Sequence, residues 1–583
     1  MMGPSTPNDS PYHGYPTPGP QSLTGQGVMD QVFFISELEW KEIQAEKKQF
    51  DYIVVGTGPC GYAVVERLLQ KDPNCNILVL ERGGYFFPDH FQNLSPAYAA
   101  TVGDNTEIFP WTLTEETADG EYIKYQHGMV PFFGGRSVWW SSWCPRPTAE
   151  EFVGWPSEVI QSANNHMDSA ESLLNVKPVS SLRLHVGTGR DVGDMSPVYD
   201  VLQNHLTAWI VDNLWEVPAL TRAEAAPLAV GIPELTGIDF KKFATTGPFI
   251  NLVQEWKDSG REESLRIVNN CRVEQISQNE EEKELKTSRG ELKVGKAKLV
   301  LATGSIPQAT LIANSFPYVP NVGKHLSAHF ISAIVARISV KDLGYGQLHD
   351  FELGAVYVAG IDGDYSKQFH IQLSAFHDKD PSAHARYTYE YAIDVLATAS
   401  KAQLKDSEDH VVFVLACLGE IDVDNEQNGL SPNLAEVDIT ANKLLNLTTS
   451  ETDRHLWDVM EESAFELVEK IISKGGHVEY WKGTPDNGMW SEERPPKSQI
   501  RVSGTVHETC TLIIGKQNDG KSSVGYDYQP HGVENIYVTG GGLWPKSGSW
   551  NPTLTMVALA QDLADRLANE RQVEVDHEEG QQQ

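Results

Sequence analysis

The stretch Gly56-Thr-Gly58-Pro-Cys-Gly61 constrains this chain more than any other. Before it runs Asp51-Tyr-Ile-Val-Val55, a compact β-rich segment. After it, Pro59 to Gln70 places Val64, Leu68 and Leu69 at helical spacing on one side. Asn76-Ile-Leu-Val-Leu80 is a second strand of buried type, and Glu81 stands at its end. Strand, glycine turn, helix and strand in that order make a right-handed βαβ unit at the start of a parallel sheet. The three glycines divide the work of a dinucleotide turn: a tight corner, close backbone approach to a pyrophosphate, and close helix–strand packing. The helix start offers free N–H groups and a positive dipole end to the phosphates. Glu81 is placed to accept hydrogen bonds from ribose hydroxyls. The segment reads as a dinucleotide site, of FAD or NAD type.

Further along, Arg266-Ile-Val-Asn-Asn270 and Ala297-Lys-Leu-Val-Leu-Ala302 read as short strands of the same kind. So does Ile536-Tyr-Val-Thr539, followed by a glycine turn and a helix from Pro552 to Asn569. Between these pieces lie helix-like stretches (Tyr387 to Ala402, Asp453 to Ile472) and strands (Ile334 to Val340, Val411 to Cys417). Met29 to Phe50 reads as a short amphipathic helix. The fold class that follows is α/β: a Rossmann-like domain assembled from discontinuous segments, with an α+β substrate-binding domain inserted.

Composition excludes several functions. The 583 residues carry 46 Lys+Arg and 80 Asp+Glu, a formal charge of −34, which argues against nucleic-acid partners and anionic membrane surfaces. No window is apolar enough to span a bilayer. Six cysteines without a C-x-x-C pair argue against a disulfide framework or zinc site, and no metal site is expected. Residues 1–30, rich in Pro, Gly, Ser and Thr, read as a disordered arm without a signal-peptide core, and 576–583 as a disordered acidic tail. A cytoplasmic location is the expectation.

Four more segments, in order along the chain, extend the pattern. They are Gly128-Met-Val-Pro-Phe-Phe-Gly134-Gly135-Arg-Ser137, Leu299-Val-Leu-Ala-Thr-Gly304-Ser-Ile-Pro-Gln308, Val322-Gly-Lys-His-Leu-Ser-Ala-His329, and Gly540-Gly-Gly-Leu-Trp-Pro545 through Asn551-Pro-Thr-Leu-Thr555. With the first motif they resemble the glucose–methanol–choline (GMC) family of FAD-dependent oxidoreductases, most of all its pyranose oxidases. The resemblance implies an FAD-binding domain over 48–150, 262–333 and 505–575, and a substrate-binding domain over 151–261 and 334–504. It implies FAD contacts from Gly56, Gly58, Gly61, Glu81 and Arg82, from Gly134, Gly135, Ser137 and Val273, and from Gly541, Pro552 and Thr553. In pyranose oxidases a His in the Gly-Gly-x-Ser-x-His-Trp loop often tethers the flavin. Trp139 stands there in this chain, which implies non-covalent FAD. A homo-oligomer stays open.

The resemblance also places the reacting groups. His507-Glu-Thr-Cys-Thr511-Leu-Ile-Ile-Gly515 is similar to the family's catalytic His segment, with Cys510 where Gly is usual, and Asn551 follows at family spacing. Oxidising CH–OH to a carbonyl needs a proton acceptor for the hydroxyl, a role suited to imidazole. An amide can hold the same oxygen. The resulting expectation is hydride transfer to flavin N5 from a pyranose ring hydroxyl at C2 or C3, with O2 or another acceptor reoxidising the flavin. The alternatives are a non-sugar metabolite alcohol, a catalytically silent flavin-binding protein and an NAD-dependent dehydrogenase.

Other features read more plainly. Asn551-Pro552 is also a favourable helix start. Trp139, Trp140, Trp143, Trp544 and Trp550 suggest an aromatic-walled pocket. His127, His325, His329 and His377 read as structural. Gly515-Lys-Gln-Asn-Asp-Gly520-Lys521-Ser522 matches the P-loop pattern, but Gly525 and Pro530 deny it the helix a phosphate site needs.

Overall fold

The computed structural model describes residues 22–582 except 47, 104–105, 119, 121–122, 183, 188–194, 232–241, 262, 280–281, 365 and 395–396. Most of the expected N-terminal arm lies outside the described residues.

The βαβ unit is β1 (Tyr52–Val55), α1 (Pro59–Lys71) and β2 (Ile77–Leu80). β3 (Leu265–Val268) adds beyond β2, β4 (Lys298–Leu301) beyond β1, and the strand Ile536–Val538 beyond β4, giving a five-stranded sheet that is parallel throughout. Tyr-Ile-Val-Val, Ile-Leu-Val-Leu and Lys-Leu-Val-Leu are buried along their whole length. That is what a parallel sheet covered on both faces requires, and why its strands read as unbroken apolar runs.

A nine-stranded sheet forms the second layer. Its central members are β5 (Ser327–Ser339), β6 (Phe351–Asp362), β7 (Lys367–Asp378), β8 (His410–Glu420) and β9 (Arg501–Thr509). These neighbours pair antiparallel. Each central strand alternates with period two. Phe369, Ile371, Leu373 and Ala375 of β7, with Phe330, Ile334 and Ala336 of β5, face a core shared with Leu456, Trp457 and Met460 of the helix Glu451–Glu466. The opposite face carries His329, Ile331, Ala333, His370 and Gln372.

Several expectations are corrected. Two helices, Gly25–Val32 and Glu37–Gln44, replace the single one expected over 29–50. Thr24 and Ser36 cap them separately through side-chain acceptance from Gly27 and Glu39 amides. Tyr387 to Ala402 is not one helix but Pro381–Tyr391 and Lys401–Leu404. The tail beyond 575 is helical, part of a single helix Thr553–Gln582. The boundaries expected at 333/334 and 504/505 fall inside β5 and β9, so both strands extend past the inserted segment toward the nucleotide-binding layer. No helix among the described residues is long and apolar enough to cross a membrane. The six cysteines are free and buried. In the P-loop look-alike, Lys521 pairs with Asp424, and Ser522 Oγ donates to Lys516 O at 2.8 Å. A turn-rich segment follows rather than a helix.

Candidate active site

A cavity of about 480 Å³ opens between the two sheets. Its nucleotide-side wall is the glycine turn. Gly56 has φ +105°, and a Cβ there would stand 2.5 Å from Ala302 O. A Cβ on Gly61 would stand 2.1 Å from Gly56 O, so this glycine lets α1 press against the strand end. Around Gly58 a Cβ would meet nothing within 4 Å, and its backbone faces the cavity at the N-cap of α1. These are the three conditions a pyrophosphate cradle imposes, and the residues present fit a dinucleotide.

Glu81 is 4% exposed, and burial pushes its carboxyl above the usual range. Thr57 N and Thr57 Oγ1 both donate to Glu81 Oε2, and Gly83 N donates to Oε1 at 3.0 Å. One oxygen thus fastens the glycine turn, while Oε1 keeps a lone pair for a hydroxyl at the cavity edge. Arg82 and Val273 line the same end, where burial and the neighbouring Arg272 lower the Arg82 pKa.

Gly135 and Ser137 line the cavity, as do Gly541, Pro552 and Thr553. Gly61 and Gly134 stand behind it. Gly134, in the left-handed region at φ +97°, donates its N–H to Thr57 Oγ1 at 2.9 Å. Ser137 Oγ donates to Gly134 O at 2.7 Å and accepts from Thr245 N at 2.9 Å. Its hydroxyl therefore braces the loop from within.

His507 and Asn551 meet at the far side of the cavity. Opposite β5, Ser327 pairs with Thr509 and His329 with Val506, so β9 runs three residues where β5 runs two. His507 sits in this bulge at φ +61°, a rare conformation for a residue with a side chain. The bulge turns its imidazole toward the cavity. Cys510, at φ +65°, occupies a second left-handed position, which is why glycine suits it.

His507 Nδ1 lies 2.9 Å from His329 Nδ1, and His329 Nε2 lies 2.8 Å from Gly548 O. Burial, reinforced by His329 and His370, holds the His507 pKa well below its ordinary value. Burial lowers His329 to about 4. Gln372 Nε2 donates to Asn551 Oδ1 at 3.0 Å and to His370 Nε2 at 3.1 Å. An amide nitrogen can only donate, so Asn551 Oδ1 is committed as acceptor and its Nδ2 remains for another oxygen. The Asn551 oxygen thus receives Gln372 rather than the helix cap read from Asn-Pro.

Beside this pair, Arg136 donates to Glu107 Oε1 at 2.7 Å and approaches Glu508 Oε1 at 3.4 Å. Burial raises the Glu508 carboxyl, and burial with Arg136 lowers His127 to about 4. His127, Arg136 and Glu508 line the cavity, as does Gln372.

The aromatic wall is smaller than expected. Trp139, Trp140 and Trp143 line the cavity, whereas Trp544 and Trp550 are fully buried and pack against Trp155. His329, read as structural, is the direct neighbour of His507. Sequence reasoning missed His370 and Gln372 too. Their signal is the alternation Phe369-His-Ile-Gln-Leu-Ser-Ala375, a strand with one apolar face and one polar face.

Among the described residues one group, Asp362, Asp364 and His455, gathers three side chains of metal-ligand type within 4.8 Å. None of the three lines this cavity.

Residues 433–560, which include His507 and Asn551, match the family model described as GMC oxidoreductase. A 76-residue stretch is 36% identical to the C-glycoside 3-oxidase of Arthrobacter globiformis, covering 13% of this chain and 14% of that protein. The crystal structure of pyridoxine 4-oxidase from Mesorbium loti superposes with a TM-score of 0.54 at 12% identity, over 89% of this chain and 99% of that one. The chain therefore shares the α/β fold of pyridoxine 4-oxidase, and its residues 433–560 match the GMC oxidoreductase model.

Proposed function

We propose that the protein binds FAD without a covalent tether and oxidises a CH–OH group to a carbonyl. The observation that carries this is the convergence of His507 and Asn551 on the cavity that begins at the Gly56–Gly61 turn. With FAD bound, its N5 supplies the hydride acceptor, and O2 or another acceptor takes the electrons onward. His507 is neutral at neutral pH and takes the hydroxyl proton. Asn551, its Oδ1 held by Gln372, donates from Nδ2 to the substrate oxygen. Gly58 and the start of α1 receive the pyrophosphate, and Glu81 a ribose hydroxyl. Trp139 at the position of the tethering His supports non-covalent binding.

For the substrate, the stretch shared with a C-glycoside 3-oxidase and the cavity-lining tryptophans support a pyranose ring hydroxyl, at C2 or C3. A second reading, a non-sugar alcohol, is favoured by the sheet face bounding the cavity, where Ile331, Ala333, Ala416, Leu418 and Val506 are aliphatic. Each sugar hydroxyl left unpaired against such a wall costs about 1–3 kcal/mol.

The visible spectrum of the purified protein, followed by anaerobic titration with glucose, xylose and aromatic alcohols, tests both. Flavin bands that bleach with one of these alcohols are expected, and the alcohol that bleaches fastest chooses between the readings. His507→Ala should keep the flavin and slow bleaching about 10²–10⁴-fold. A protein that takes up no FAD, or a variant that bleaches at the original rate, overturns the assignment.

A further inference from the structure

We infer that His329 is a positioning residue that sets the tautomer of His507, leaving Nε2 as the nitrogen that receives the substrate proton. The inference rests on the oxidation proposed above. One chain of hydrogen bonds runs from Gly548 through His329 to His507. The Gly548 carbonyl can only accept, so His329 Nε2, 2.8 Å away, carries a hydrogen. His329 is fully buried, and burial keeps it neutral at neutral pH. A neutral imidazole has one N–H, so His329 Nδ1 is bare. It must then accept, and His507 Nδ1 at 2.9 Å is the donor. His507 is itself held neutral by burial, so its single hydrogen is on Nδ1 and its Nε2 is bare. When Nε2 gains the hydroxyl proton, Nδ1–H still points at His329 and the bond becomes charge-assisted.

The anchor of the chain is built to stay in place. Gly548 has φ +62°, and a Cβ there would stand 2.1 Å from the Trp550 ring. Its N–H donates to Glu420 Oε2 at 3.1 Å while its carbonyl accepts from His329. The residue is held through both its N–H and its carbonyl, and the direction of the whole relay follows from that carbonyl.

A substitution pair separates this role from packing. In His329→Gln the amide can present an oxygen to His507 Nδ1–H and an N–H to Gly548 O, reproducing both polar contacts. His329→Phe keeps a ring but neither contact. The holoenzyme carrying His329→Gln should retain flavin reduction within about 10-fold of the original, while His329→Phe should lose about 10²-fold or more with the flavin spectrum unchanged. If His329→Phe reduces flavin as fast as the original, or better than His329→Gln, the inference fails. Where a variant does not fold, ¹⁵N-histidine spectra of the unmodified holoenzyme decide. A His507 Nδ1–H tautomer supports the inference, and an Nε2–H tautomer overturns it. Absence of bleaching by every alcohol would instead overturn the oxidation reading, and the tautomer would still be measurable.

Discussion

At the residue scale, the site depends on groups held in unusual states rather than on unusual groups. His507 combines a left-handed backbone with a half-buried ring whose desolvation keeps it neutral. Its lowered pKa sets a sign. A base must be neutral to accept a proton, and this ring stays neutral as pH falls through 6.5, where a free histidine would charge. The rate constant of flavin reduction should therefore hold level from pH 8 to below 6.5 and drop only in more acidic buffer. Stopped-flow measurement across that range checks it, and an acid limb centred at 6.5 or above would contradict the burial described. That His507 and Asn551 would share a cavity was legible in the sequence because their segments resemble family motifs. The places of His329 and Gln372 beside them were not, because register sets those places: His329 pairs with Val506 across β5 and β9, and Gln372 with Ala416 across β7 and β8. No local pattern encodes those partners.

At the element scale, the strand–turn–helix unit was almost fully legible. Its signals are local: an apolar run, glycines where backbones crowd, and helical spacing that buries Val64, Leu68 and Leu69. The second and third glycines of one motif should respond differently to the same change. Gly58→Ala places its methyl in open space facing the cavity, so the protein should fold normally and lose FAD affinity about 10-fold or more. Gly61→Ala drives a methyl into Gly56 O, which should lower stability by about 1–3 kcal/mol, the usual range for overpacking. Thermal melts of the apoproteins and FAD titrations together separate the two outcomes. Helix ends were less legible. The Tyr387 to Ala402 stretch breaks at Ala392, after the helix that Asp380 caps. The final helix also runs on through an acidic segment whose composition alone suggested no structure.

At the scale of the whole molecule, the parallel sheet assembles from pieces near the beginning, middle and end of the chain, and the sequence marked each piece. The antiparallel layer was only partly visible, since two of its strands were read short and its helical cover was read only in part. FAD is expected to bind the folded state across both layers. At a concentration 100 times its dissociation constant it should add about 2.7 kcal/mol to stability and make the unfolding midpoint depend on FAD concentration. Melting curves over a series of FAD concentrations check this, and a midpoint indifferent to FAD would argue against the site.

β9 carries the chain from the antiparallel layer to the nucleotide side. Past its end, the β9 chain is stitched to the nucleotide side by three backbone bonds, Cys510 N to Gly541 O, Leu512 N to Gly542 O and Ile514 N to Leu543 O. A clamshell motion of one lobe against the other at this joint would have to break these three bonds, so substrates are expected to come and go by rearrangement of side chains and connecting loops.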